Sequence, residues 1–146
     1  MTASTLRRHR EAPERGSISA MVIVLIVMLF AVAGLIYDGG RAINARQQAF
    51  DDAEQAARAG ANQIDIDRFR ADGTVVIVQG EAEYAVRQYL AQLDRTYTTV
   101  RVGVTGDSVE VDLGRTVPTG LLQLVFVSSF DVSGSAIAQP EVGIGG

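Results

Sequence analysis

The chain has 146 residues, 13 basic and 17 acidic side chains, one histidine, no cysteine and a formal net charge of −4. This length allows one small domain with an appendage. An acidic chain without basic clusters argues against a nucleic-acid partner. The absence of cysteine excludes disulfides, thiolate nucleophiles and cysteine-based zinc sites.

Charge divides the chain into three parts. Residues 1–15 form a basic tail with four arginines and two glutamates, and no charged residue occurs from Gly16 through Tyr37. Everything from Asp38 onward is acidic on balance. The order is therefore a short basic tail, an uncharged segment and an acidic body.

The uncharged segment predicts a transmembrane helix over residues 16–37. Its apolar part, residues 18–37, contains 20 residues, with Ser19 and the Tyr37 hydroxyl as its polar side-chain groups. At 1.5 Å per residue, such a helix spans about the 30 Å of a bilayer's hydrocarbon core. Because the arginines precede the segment, the positive-inside rule places the N-terminus in the cytoplasm and residues 38–146 outside the cell membrane.

A cleaved secretory signal is the alternative for the same segment. Ala31 and Ala33 form an A-x-A site after a basic region and an apolar run, so signal peptidase would release a soluble protein that begins at Gly34. The apolar run continues past this site to Tyr37, which favours an anchor.

An amphipathic helix and a linker are expected over residues 38–71, where the sequence is rich in helix-forming residues and free of proline. Gly39 and Gly40 would mark a hinge where this helix leaves the bilayer. Small residues recur at helical spacing and form a packing seam, which consists of Ala45, Ala49, Ala53, Ala56 and Gly60. The seam suits close packing against another helix or against the sheet of this same chain, and the sequence leaves both alternatives open.

Residues 72–139 predict a small α+β domain, followed by a loose tail at residues 140–146. Its clearest part is a hairpin, residues 99–105 and 108–113, around a two-residue turn at Gly106 and Asp107. Counting back from the turn pairs Val102 with Val111 and sets Arg101 opposite Asp112.

The other elements of this domain are less regular. A β-branched run at residues 74–78 predicts an inner strand, and residues 81–94 predict a helix. Pro118 opens a short helix through Phe126, and residues 130–138 alternate like a last strand. The resulting order, βαββαβ, is typical of a split-βαβ sandwich. The apolar patch at residues 121–127 would pack in the core, touch lipid or meet another subunit.

The outer domain contains few of the side-chain types that usually act in catalysis. The single histidine, His9, lies in the basic tail, and lysine and cysteine are absent. Glu110 and Asp112 are the closest pair of carboxylates, but they lie on the polar face of the hairpin. We therefore expect no enzyme, no metal, no cofactor and no small-molecule substrate. A carboxylate hydrolase is kept as a third hypothesis.

One sequence pattern resembles that of a known family. The chain reads Arg15-Gly16-Ser17, then the apolar run, then Asp38-Gly39-Gly40-Arg41-Ala42, then A-E-Q-A-A-R-A-G-A from Ala53 to Ala61. Over residues 15–62 this resembles the TadE/TadG-like proteins of the tight-adherence (Flp) pilus system. The resemblance implies a minor pilin, a pseudopilin or an envelope-anchored assembly subunit: a membrane helix with a small exported domain. The membrane and other pilus-assembly or pilin subunits would be its partners.

The resemblance also implies a processing site between Gly16 and Ser17. Type IV-like prepilins carry a glutamate five residues beyond the glycine, and Met21 stands at that position here. The uncut, anchored form of TadG-like relatives therefore fits this sequence better.

Overall fold

A continuous helix of 47 residues begins the computed structural model, which describes residues 15–141. This helix, α1 (Arg15–Ala61), is about 70 Å long at 1.5 Å per residue. It passes through Gly39 and Gly40 without a break, so the expected hinge is not visible as a bend or gap in the helix. The basic tail as far as residue 14 and the last five residues of the expected loose tail lie outside the described residues.

A short helix, α2 (Ile66–Asp72), follows where a linker was expected. The carboxylate of Asp65 caps its first turn by accepting the Arg68 N–H at 3.0 Å. The helix ends at Gly73, whose φ of 75° is a left-handed conformation that glycine adopts without steric cost. The third helix, α3 (Gln79–Ala91), overlaps most of the helix predicted at residues 81–94.

The strand predicted at residues 74–78 is wrong. This segment forms a single β-bridge, between Ile64 and Ile77, instead of a ladder. The Ile77 N–H donates to the Gly106 carbonyl in the hairpin turn, and α3 begins directly afterwards, at Gln79. The apolar pattern correctly indicated burial, since Ile77 is buried, but burial did not require a strand.

Three antiparallel strands form the sheet: β1 (Thr99–Val104), β2 (Val109–Pro118) and β3 (Ser129–Ala138), in the spatial order β1-β2-β3. The hairpin register is confirmed, with Val102 opposite Val111 and Arg101 opposite Asp112. A 3-10 helix at Leu122–Val125 lies between β2 and β3, where the short helix was predicted. The α+β class is confirmed. The predicted βαββαβ order is corrected to a three-stranded meander that follows three helices.

The core lies between the sheet, α3 and the second half of α1. Its buried members are Ala53, Ala56, Ala57, Ala61, Ile77, Ala82, Val86, Val109, Val111 and Leu113. Because α1 supplies four of these alanines, the helix from residue 38 and the domain expected at residues 72–139 share one core. Residues on both sides of position 72 thus contribute to this core.

A candidate junction between the apolar helix and the folded domain

The first half of α1, which we name the apolar half, is mostly not covered by the folded domain. Between residues 18 and 37 its large apolar side chains are exposed, from 46% for Ile26 to 74% for Met21. The helix is long and apolar enough to cross a membrane, so the predicted anchor is a candidate membrane span. Ala31 and Ala33 lie inside this helical half, and Gly16 and Ser17 lie in its first turn.

The second half of α1 is buried along one stripe. The seam residues Ala45, Ala49, Ala53, Ala56 and Gly60 are all buried. A Cβ atom on Gly134 of β3 would overlap the backbone of Ala49 and Phe50, so strand and helix backbones are in direct contact. Of the two alternatives for the seam, the structure has packing against the chain's own sheet.

The stripe begins earlier than the predicted seam, at Gly34 and Asp38. Asp38 is buried, with 1% of its surface exposed. Its carboxylate accepts three backbone hydrogen bonds: Oδ1 from the Gly120 N–H at 2.7 Å, and Oδ2 from the N–H groups of Leu121 and Leu122 at 2.9 and 2.8 Å. One carboxylate thus caps the first turn of the 3-10 helix, where N–H groups have no partner within the helix.

These hydrogen bonds keep Asp38 ionised. Burial by itself would raise the pKa of Asp38, but the N–H groups of Leu122, Gly120 and Leu121, aided by the Arg41 guanidinium, outweigh it. The pKa of Asp38 is therefore lowered from its ordinary value of 3.8. A buried charge is tolerated at this place because preformed donors replace its water shell.

The loop that Asp38 holds connects β2 to β3, and we name residues 119–128 the β2–β3 loop. Its ends are joined by the Thr119 N–H, which donates to the Ser128 carbonyl at 3.0 Å. Two glycines allow the close approach of loop and helix. A Cβ on Gly34 would lie 3.1 Å from the Leu122 Cδ2 atom, and one on Gly120 would lie 3.3 Å from Asp38 Oδ1.

The remaining motif residues surround this contact. The Arg41 guanidinium lies 5.9 Å from the centre of the Tyr37 ring, a cation–π distance at the end of the apolar stretch. Gly39 is half-buried and Gly40 exposed, and a Cβ on either would meet nothing within 4 Å. Ala42 is half-buried on the stripe. The motif Asp38-Gly39-Gly40-Arg41-Ala42 therefore lies where helix, loop and apolar segment meet.

A second buried carboxylate, further along the same face of α1, ties the helix to the segment before β1. Asp52 accepts hydrogen bonds from Arg95 Nε at 2.9 Å, from Arg95 Nη2 at 3.2 Å and from the Tyr97 hydroxyl at 2.5 Å. Burial, followed by the hydrogen bond to Asp52, raises the pKa of Tyr97 to about 12. The hydrogen bond between Arg95 and Asp52 likewise raises the pKa of Arg95.

The carboxylates considered for catalysis lie apart from both clusters. Glu110 is exposed opposite Gly103, and Asp112 is paired with Arg101 across the hairpin. Among residues 15–141, no group of three or more acidic or histidine side chains is arranged to hold a metal ion. The two carboxylates therefore lie on the polar face of the hairpin, Glu110 exposed and Asp112 half-buried.

Sequence reasoning missed the roles of Asp38 and Asp52, although a signal for Asp38 was present. At 100° per residue, Asp38 lies on the same stripe as Gly34, Ala42 and Ala45, so an acidic residue on a small-residue seam indicated a buried carboxylate. The same signal existed for Asp52, which projects in the same direction as Gly34, whereas the identity of its partners Arg95 and Tyr97 could not be predicted from the sequence.

The comparisons with known proteins concern this helix. A family model described as "Putative Flp pilus-assembly TadE/G-like" matches residues 16–63, which include almost all of α1 and none of the sheet. No curated protein and no solved structure matches the chain. The predicted resemblance is confirmed over this region: residues 16–63 are similar to the TadE/G-like Flp pilus-assembly family.

Proposed function

We propose that this protein is a non-enzymatic, single-pass membrane subunit that assists the assembly of a Flp-type pilus. Its N-terminus lies in the cytoplasm and its folded domain lies outside. The observation that carries the proposal is the contrast within α1: its large apolar side chains are exposed over residues 18–37, and its small ones are buried further on. The match to a pilus-assembly family, which is not an enzyme class, covers the same helix.

We further propose that the protein stays anchored instead of entering the filament as a minor pilin. The support is Met21, which stands where the prepilins it resembles carry a glutamate. Contacts with other pilus subunits would use the exposed side of the apolar half, because the alanine seam is occupied by this chain's own sheet.

The secreted alternative is disfavoured by the junction. Cleavage after Ala33 would place a charged α-amino group on Gly34, which is buried against Leu121 and Leu122. An unpaired charge in such a place is costly, and the cut would also leave the turn before Asp38, residues 34–37, as a frayed helix end without the preceding carbonyls.

The test uses the absence of native cysteine. We would express full-length Ser4→Cys and Tyr84→Cys variants in a bacterium and treat intact spheroplasts with a membrane-impermeant maleimide. Tyr84 is 68% exposed on α3, so its substitution leaves the core intact. We expect both variants in carbonate-washed membranes, with Tyr84→Cys labelled in intact spheroplasts and Ser4→Cys labelled only after lysis.

Three other results would refute parts of the proposal. The reverse labelling pattern would overturn the orientation. A soluble species that begins at Gly34 would establish the secreted alternative. Recovery of the protein in sheared filaments, starting at Ser17, would make it a minor pilin.

A further inference from the structure

We propose that the β2–β3 loop is a second membrane contact, which inserts its apolar tip into the lipid interface beside the helix. This inference rests on the proposed membrane anchor and adds a surface that the anchor does not require. The tip carries Leu124, which is 70% exposed, and Phe126, which is 98% exposed. Exposed apolar groups of this size, side by side on a small domain, mark a surface that meets lipid or protein.

The position of the loop favours lipid. Leu121 and Leu122 pack against Gly34, which lies inside the apolar stretch, one helical turn before Asp38. That turn corresponds to about 6 Å along the helix axis. When residues 18–37 span the bilayer, the loop is held at the depth where headgroups meet acyl chains. Its exposed tip is therefore continuous with the lipid-facing surface of the helix.

The composition of the loop agrees with that depth. No charged residue occurs between Arg115 and Asp131, a run of 15 residues that includes the whole loop. The nearest charge on the helix, Asp38, is buried and fully hydrogen-bonded by the loop itself. The loop thereby covers the one carboxylate that would otherwise face lipid headgroups.

The backbone N–H groups of the loop are also hydrogen-bonded within the protein, as contact with acyl chains requires. Donors at Thr119, Leu124, Phe126 and Val127 are paired with carbonyls within the loop, and those at Gly120, Leu121 and Leu122 are paired with Asp38. Unpaired backbone groups are costly in lipid, whereas an exposed loop in water has no need of such internal pairing.

Phe126 combines an unusual backbone conformation with a side chain that is almost fully exposed. This residue has a φ of 67°, a left-handed conformation that bulky side chains rarely adopt. Its N–H donates to the Gln123 carbonyl, and the next N–H, of Val127, donates to the Leu122 carbonyl. These bonds hold the strained residue in place with its aromatic side chain fully exposed, as an interfacial aromatic requires.

The experiment uses the absence of tryptophan from the sequence. Full-length Phe126→Trp, Leu29→Trp and Tyr84→Trp variants would be reconstituted in phosphatidylcholine–phosphatidylglycerol vesicles with or without lipids brominated along the acyl chain. Leu29 lies in the middle of the apolar half, and Tyr84 is an exposed residue of α3. Leu124→Trp gives a second position on the loop if the strained site does not accept tryptophan.

We expect Phe126→Trp to emit at shorter wavelength than Tyr84→Trp and to lose most of its emission to bromines near the headgroups. Leu29→Trp should be quenched by deeper bromines, and Tyr84→Trp by none. Quenching of Leu29→Trp alone would overturn the loop contact and leave the anchor standing. Quenching of neither would refute the anchor and the loop contact together. Blue-shifted emission of Phe126→Trp without quenching would overturn the lipid contact in favour of a protein neighbour.

Discussion

The two halves of α1 have the same secondary structure but differ in how much of their surface the folded domain covers. Large aliphatic side chains between residues 18 and 37 are about half or more exposed, whereas Ala49, Ala53, Ala56 and Ala57 have no exposed surface. In water, the exposed half would be strongly unfavourable, at roughly 25 cal/mol per Å² of apolar surface. Each half is therefore suited to a different surrounding: lipid for the first and the chain's own sheet for the second.

The comparison also shows where along α1 the part suited to lipid meets the part that packs against the folded domain. The stripe that faces the domain begins at Gly34 and Asp38, one turn before the apolar stretch ends. The folded domain is thus fixed to the end of the anchor by the β2–β3 loop and does not hang from a free linker. The orientation of the apolar part of α1 is therefore coupled to that of the folded domain.

The largest expected loss of stability comes from adding a side-chain atom where the sheet and the helix are in direct contact. A Gly134→Ala substitution places a Cβ into the backbone of α1 at Ala49 and Phe50, neither of which can move aside as a side chain would. We expect a loss of about 3 kcal/mol or more in the free energy of unfolding. Urea unfolding of the full-length protein in nanodiscs, followed by circular dichroism, measures it.

Gly103→Ala is the matched control, because this glycine also lies in a strand but its Cβ would meet Glu110 at an ordinary 3.8 Å. Its effect should stay within about 0.5 kcal/mol. Equal stability of the two variants would show that β3 does not pack directly on the second half of α1.

A smaller loss is expected when Asp52 is replaced by alanine. The substitution leaves Arg95 and Tyr97 without their shared acceptor and releases the segment between α3 and β1 from α1. We expect a loss of about 2 kcal/mol, measured by the same urea titration. Asp51→Ala is the control, since Asp51 is exposed and bonded to Gln47 on the same helix. A comparable loss for both would mean that the buried cluster does not stabilise the fold.

Alkaline pH should weaken the same cluster. The pKa of Tyr97 is raised to about 12 in the folded protein from an ordinary value of 10.0, so the unfolded chain releases this proton first. Its contribution is complete below pH 10 and is lost as the pH rises toward 12. Tyr97→Phe should remove the part of the alkaline decline in stability that belongs to Tyr97. An unchanged decline would contradict the assignment.

The sequence predicted those elements whose pattern is local. The hairpin register followed from alternation on both sides of Gly106-Asp107, and the helix followed from composition and small-residue spacing. The run at residues 74–78 was misjudged because β-branched residues favour burial in either a strand or a bridge, and the pairing partner decides between them. The partners of Asp38 and Asp52 could not be predicted, because tertiary folding alone brings them to these carboxylates.

Asp38→Asn should open the junction without unfolding the domain. An asparagine side chain offers one acceptor oxygen, and its NH2 group would face either the Gly120 N–H or the N–H groups of Leu121 and Leu122, which repel it. We expect faster hydrogen exchange at the amides of residues 120–122 in nanodiscs, with the core of β2 unchanged. Asp51→Asn is the control and should leave these amides protected.

The same junction should resist mild acid. Because the pKa of Asp38 is lowered from 3.8, its contribution is complete above that value and is lost only as the pH falls below it. Amides at residues 120–122 that lose protection already between neutral pH and about pH 5 would contradict this assignment.

The smallest expected effect has the opposite sign and tests whether the two halves are one rigid rod. Gly39→Ala and Gly40→Ala add a Cβ that meets nothing within 4 Å, in the middle of a continuous helix. Each should raise the free energy of unfolding by roughly 0.5 to 1 kcal/mol, because alanine restricts the unfolded chain more than glycine does.

Gly60→Ala is the matched control on the same helix. Its Cβ would lie 2.9 Å from Val86 Cγ2, so the same substitution should lower stability there. If Gly39→Ala or Gly40→Ala also lowers stability in nanodiscs, the helix must bend at these glycines when its first half is in lipid. The anchor and the domain would then be two bodies joined at a hinge, and the contact of Asp38 with the β2–β3 loop would be the element that limits its motion.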